Sequence, residues 1–155
     1  MKKFLIFLLF LVLLSCNERE DNSIGNLTDQ KEFVLKEKAK DSLTVAWNTM
    51  LVNDSISTTI AELKIIKDKD LDTQEGYYGI LGTTQSDSAK VICSVELING
   101  KFYFEKNEIS TSVICFGSKN CSPKKSDGYW VCDDGTGEKK CSKDCMKKTV
   151  ATKSN

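Results

Sequence analysis

The chain of 155 residues contains no histidine. That removes the Ser-His-Asp and Cys-His arrangements, in which an imidazole takes the proton from the attacking group. It also lacks any apolar run long enough to cross a bilayer. The longest, residues 4–14, is far short of the roughly 20 residues a spanning helix needs. Neither sign of charge is in excess, with 22 basic and 22 acidic residues, which argues against a nucleic-acid partner, since nucleic acid selects a basic surface. Paired Cys-x-x-Cys knuckles are missing too. Between Cys115, Cys121, Cys132, Cys141 and Cys145 the gaps are five, ten, eight and three residues. Such spacing argues against a thiolate zinc site and against a dithiol redox motif.

What is present begins at the N-terminus. Lys2 and Lys3 precede the apolar run Phe4 to Leu14, which leads into Leu13-Leu14-Ser15-Cys16. A basic start, a short apolar stretch and a small residue before the cut make an export signal. The last four residues resemble the lipobox of a bacterial lipoprotein, whose cysteine thiol is the nucleophile that receives lipid. The resemblance implies that residues 1–15 are cleaved and that Cys16 becomes the acylated first residue. Its palmitate-type chains would anchor the protein durably in the cell envelope. Asn17 at the second position and the acids Glu18, Glu20 and Asp21 resemble outer-membrane lipoproteins of Bacteroidetes, facing the periplasm or the cell surface. Cleavage leaves 20 basic against 22 acidic residues. Residues 16–28, rich in asparagine and acids, are expected to be a flexible tether.

The folded part is expected to be α+β: a small antiparallel β-meander of about five strands, packed by one N-terminal helix, with a disulfide-rich C-terminal lobe. Asp29 and Glu32 have capping-box spacing, and Leu35, Ala39, Leu43, Ala46 and Met50 recur at helical intervals, widened by Trp47 and Leu51. The period then drops to two. Ala61, Leu63 and Ile65 begin one strand, Tyr77 to Leu81 another, and Lys90 to Ile98 a third with Val91, Cys93, Val95 and Leu97 on one face. Asn99-Gly100 predicts a type I′ hairpin pairing Ile98 with Lys101, Leu97 with Phe102 and Val95 with Phe104. Cys93 then faces the core with both phenylalanines. Ile109 to Phe116 supplies the last strand. The expected domain thus runs over residues 29–117, with a stapled lobe over 118–148 and a disordered tail over 149–155.

Apart from Cys16 there are six cysteines, Cys93, Cys115, Cys121, Cys132, Cys141 and Cys145. An even number in an exported chain reads as three disulfides with 15 possible connectivities. One bridge is expected to tie Cys93 to the lobe and two to lie within it, because residues 115–145 hold too few apolar side chains to make a core alone. From Lys119 onward nine lysines face five acids, which reads as a solvated surface. Asp68, Asp70 and Asp72 alternate like the first ligands of an EF-hand loop, but Thr73 stands where glycine is required and Gly79 where the closing glutamate belongs. They read as a charged hairpin turn, and no metal or cofactor is expected.

Catalysis by a carboxylate pair among Asp133, Asp134 and Glu138 remains formally open, but the run reads as an exposed loop, whereas a general acid needs an apolar pocket. Tyr129 and Trp130, beside Gly128 and before Cys132, are the candidate binding surface, because a pinned lobe loses little entropy on binding. Packing over a disulfide is the competing role for this pair. Asp54-Ser55-Ile56 and Asp87-Ser88-Ala89 resemble the O-glycosylation acceptor of Bacteroidetes, at Ser55 and Ser88. Cys115, Gly117, Cys121-Ser122-Pro123, Gly128-Tyr129-Trp130-Val131-Cys132, Cys141 and Cys145 together resemble small Cys-rich lipoproteins of Bacteroidetes that end in a Cys/Gly/Trp module. The resemblance implies no activity. The expectation is a monomeric, non-catalytic envelope lipoprotein held by its acyl chains, binding an unknown protein or glycan ligand. An inhibitor or immunity-type lipoprotein that blocks an envelope enzyme or toxin is the alternative.

Overall fold

The computed structural model describes residues 21–105, 111–135 and 144–151. Its first elements are strands, and the expected helical start is displaced. Gly25–Leu27 (β1) and Phe33–Leu35 (β2) pair antiparallel. The Asp29 and Glu32 spacing that suggested a capping box belongs to their turn, where Thr28 Oγ1 accepts the Glu32 amide at 3.1 Å and Lys31 adopts a φ of 63°. The reason is aromatic packing. Phe33 sets its ring edge against Tyr78 and Phe102, with centroids 5.7 and 5.6 Å apart, contacts that a helix starting at residue 29 would not offer. The expected tether is corrected from residue 23 onward, since Ser23 and Ile24 are buried and β1 is part of the sheet, while its residues 16–20 lie outside the described residues.

The helix α1 spans Glu37–Asn53, with Lys36 at its N-cap and no side-chain cap. Trp47, Met50 and Leu51 form its buried stripe, with Ala39 and Leu43 partly covered and Ala46 exposed. Ser55, at φ 59°, ends it in the left-handed position, and the Ile56 amide returns to the Leu51 carbonyl at 2.9 Å.

Four strands joined by three ladders follow. Ile60–Lys69 (β3), Gly76–Thr84 (β4), Ala89–Ile98 (β5) and Lys101–Phe104 (β6) run as an antiparallel meander. The β5–β6 turn has φ values of 49° at Asn99 and 77° at Gly100, and the register is the one the Asn-Gly signal predicts. Beyond β6 the expected meander breaks. Thr111–Gly117 (β7) pairs with Ala89 to Ile92 of β5, while β6 pairs with Val95 to Ile98. Because β4 occupies the opposite edge of β5, β6 and β7 share one edge end to end. Outside them, β6 continues to β1 and β2, and β7 to Cys145–Ala151 (β10). The part of the expected tail from residue 149 to 151 is therefore strand. Ser122–Ser126 (β8) and Tyr129–Asp133 (β9) form a separate two-stranded sheet.

The pleat of β5 separates two cores. Val91, Cys93 and Val95 face α1 with Trp47, Leu51, Ile80 and Phe102, whereas Ile92 faces Tyr77, Val113, Trp130 and the bonded cysteines. Complete burial of Leu51 or Ile80 stabilises the first core by roughly 1.5–3 kcal/mol each. Gly82 is required there: a Cβ at that position would lie 2.7 Å from Trp47 Cζ3. Trp47 Nε1 is satisfied by Ser112 Oγ at 3.1 Å.

The two disulfides among the described residues are Cys115–Cys132 and Cys121–Cys145, with Cα separations of 5.5 and 5.3 Å. Cys93 takes part in neither. The pleat turns its side chain to the helix face, away from all four bonded cysteines, so the expected bridge from Cys93 reaches none of these four. Cys16 and Cys141 lie outside the described residues.

Candidate functional site: the disulfide-pinned hairpin

The β8–β9 hairpin is where local sequence and covalent chemistry converge. Its two-residue turn, Asp127-Gly128, has φ values of 52° and 80°, both left-handed as a type I′ turn requires. Asp-Gly is the same class of signal as Asn99-Gly100, and it marks a hairpin inside the stapled lobe expected over 118–148. The ladder pairs Ser126 with Tyr129, Lys125 with Trp130 and Pro123 with Cys132. Cys115–Cys132 then fastens β9 to β7, and Cys121–Cys145 fastens the approach to β8 onto β10.

Alternation along β9 splits the expected aromatic pair. Tyr129 is 75% exposed, whereas Trp130 is 7% exposed and packs among the four bonded cysteines. Trp130 is thus corrected from ligand contact to core. Its ring meets Tyr77 edge to face at 5.3 Å, and Lys125 Nζ sits 5.2 Å from the Trp130 centroid and 5.6 Å from that of Tyr77. Burial, helped by the charge of Asp68, pushes the Tyr77 hydroxyl up to about 12, so it stays protonated at neutral pH.

The hairpin tip is also stitched to the β3–β4 turn. Asp70, only 3% exposed, takes the Asp72 and Thr73 amides on Oδ1 at 2.8 and 3.0 Å. Across the gap it accepts the Asp127 amide at 3.1 Å on Oδ1 and the Gly128 amide at 2.8 Å on Oδ2. The Gly128 amide above all, then those of Thr73, Asp72 and Asp127, hold this carboxyl far below the usual carboxylate range against the opposing effect of burial. Burial also works against ionisation of Asp68, but the Lys124 ammonium at 2.7 Å and the Lys69 amide outweigh it and lower its pKa. Asp72 accepts from Ser126 Oγ. The three alternating aspartates therefore serve separate partners and do not converge as EF-hand ligands would.

Beside the stitched turns lies a cavity of ≈ 510 Å³ whose wall includes Glu75, Glu96, Glu105, Asp127, Tyr78 and Lys125. Its acidic lining suits a cationic or polyhydroxylated group, and Tyr129 follows directly on the turn that closes one side. No protein-family model, curated protein or solved structure matches the chain.

The remaining expected sites do not join this cluster. Ser55 is exposed just past α1, and Ser88 is half-buried in a hydroxyl chain with Ser86 and Thr58, its Oγ 2.6 Å from Ser86 Oγ. Asp133 spends Oδ1 on the Gly135 amide at 3.0 Å, and Glu138 lies outside the described residues.

Proposed function

We propose that the protein is an acyl-anchored, non-catalytic lipoprotein of the outer membrane that binds a protein or glycan ligand through its pinned hairpin. The observation that carries this reading is Tyr129, a large aromatic side chain held out on a strand whose neighbours are fixed by two buried disulfides and the Asp70 stitch. A rigid aromatic loses little rotamer entropy on binding, and the adjoining acidic cavity adds polar contacts. Disulfides persist in oxidising compartments, which agrees with the export signal at Cys16. The non-catalytic reading rests on the missing histidine and on the engagement of Asp68, Asp70 and Asp72 with fixed partners.

Two measurements test it. Metabolic palmitate labelling should mark the wild-type chain in the membrane fraction, and Cys16→Ser should abolish both label and sedimentation. Envelope-polysaccharide arrays and envelope-extract capture should give signals that Tyr129→Ala removes while its thermal transition is unchanged. Binding indifferent to Tyr129 would sink the hairpin assignment.

A further inference from the structure

The chain is fixed to the domain sooner than its composition suggests, and this limits where the domain can stand. The Ile24 amide donates to the Phe102 carbonyl at 2.8 Å, and the Lys36 amide returns to the Ile24 carbonyl at 2.9 Å. Asp21 Oδ2 is clamped by Lys36 Nζ at 3.0 Å and Lys101 Nζ at 3.1 Å. Only residues 17–20 separate Asp21 from Cys16. Five Cα-to-Cα steps reach at most roughly 18 Å when fully extended. Whatever holds Cys16 therefore holds the Asp21 side of the domain within that distance.

That side carries a row of outward side chains. Val34 of β2 pairs with Asn26 of β1, Asn26 with Lys101 of β6, and Lys101 with Ile98 of β5. Directly paired residues of antiparallel strands share a face, so the four form one line across the sheet. Val34 and Ile98 are 42% and 44% exposed, among the few large aliphatic side chains at the surface of the described residues. Tyr103, two residues along β6 from Lys101, lies on the same face. Exposed aliphatics with a lysine and a tyrosine between them match a lipid headgroup boundary. There methyl groups enter the acyl edge, the phenol stays interfacial, and the Lys101 ammonium, paired with Asp21, sits at headgroup level.

Resting on the acyl anchor proposed above, we infer that the outward face of β1, β2 and β6, marked by Val34, Lys101 and Ile98, lies against the phospholipid surface that holds Cys16. The contact need not be strong alone, because a short link makes the second contact intramolecular at an effective concentration on the order of millimolar. The domain is then held in one orientation. Lys119, beside Lys90 at the far end of β5, stands clear of the lipid.

The test uses the full acylated chain reconstituted in phosphatidylethanolamine and phosphatidylglycerol vesicles. A water-soluble amine-acylating reagent is applied, and modified lysines are read by mass spectrometry. Lys101 should lose labelling relative to Lys119, and a variant with ten Gly/Ser residues inserted between Asn17 and Glu18 should regain it. The double variant Val34→Asp with Ile98→Asp should regain it too. An acylated chain whose Lys101 labels like Lys119 overturns the placement alone. Protection that survives the insertion also overturns it, because the Asp21 pairing or a second copy, and not lipid, then shields the ammonium. A chain without acyl mass at Cys16 overturns the anchor and this placement together.

Discussion

Replacing Cys121 and Cys145 together by alanine removes the bridge that closes the longer loop of the hairpin, with a sequence separation of 24. In the chain-entropy model a loop of that length restrains the unfolded state by about 3.5 kcal/mol at 25 °C. The Cys115–Cys132 loop, with a separation of 17, gives about 3.1 kcal/mol in the same model. Both bridges are buried, so alanine adds a small cavity penalty to the entropic term. A domain of this size has about 5–15 kcal/mol in total. The variant should therefore fold but unfold at clearly lower urea. Two tryptophans allow the loss to be located. Trp47 reports the core under α1, and Trp130 reports the core around the disulfides. With Trp47→Phe and Trp130→Phe backgrounds isolating each signal, urea titration should show the Trp130 transition moving further than that of Trp47. A midpoint unchanged within error would refute the argument that the hairpin depends on covalent closure. Coincident shifts of equal size would refute the claim that the two cores respond separately.

Asp70→Asn should weaken the junction between the β3–β4 turn and the β8–β9 turn, because an amide presents a donor where only backbone donors point. The sign with pH follows from the lowered folded-state pKa. The carboxylate stabilises the fold above its ordinary value of 3.8 and loses that contribution as pH falls toward the folded value. Wild-type Tm should thus drop below about pH 4, and a variant with the same slope there would count against the stitch. Gly82→Ala should destabilise by about 1–3 kcal/mol through collision with Trp47, as calorimetry would show; no loss would mean the indole can shift. Gly100→Ala meets no atom within 4 Å but must hold a φ of 77°, so only the left-handed penalty of about 1–2 kcal/mol applies. Urea midpoints should place it well above Gly82→Val, where bulk is added in a closed site, and the opposite order would contradict the packing described.

Several elements could be read from the sequence because their signals are local. Asn99-Gly100 dictates its turn and so the register of Phe102 and Phe104, and the helical stripe of Trp47, Met50 and Leu51 needs no partner to be recognised. Asp127-Gly128 carried an equally local signal that was obscured by the density of cysteines around it. What could not be read was set by distance in the chain. β1 and β2 have three residues each, too few to show alternation, and exist because β6 offers them an edge. The attachment of β7 to β5, and hence which cysteines meet, is likewise a matter of which edge is vacant. Tyr129 and Trp130 were adjacent letters with opposite fates. Their separation required knowing that β9 lays one face on the disulfides.

The division of β5 between two cores gives that strand an unusual intolerance. Its odd-numbered residues Val91, Cys93 and Val95 belong to one interior and Ile92 to the other. Losing or gaining one residue within it would exchange the two sets, placing Ser94 under the helix and Cys93 among the disulfides. Length variation among relatives should therefore be excluded from residues 89–98, even where the side chains themselves change freely.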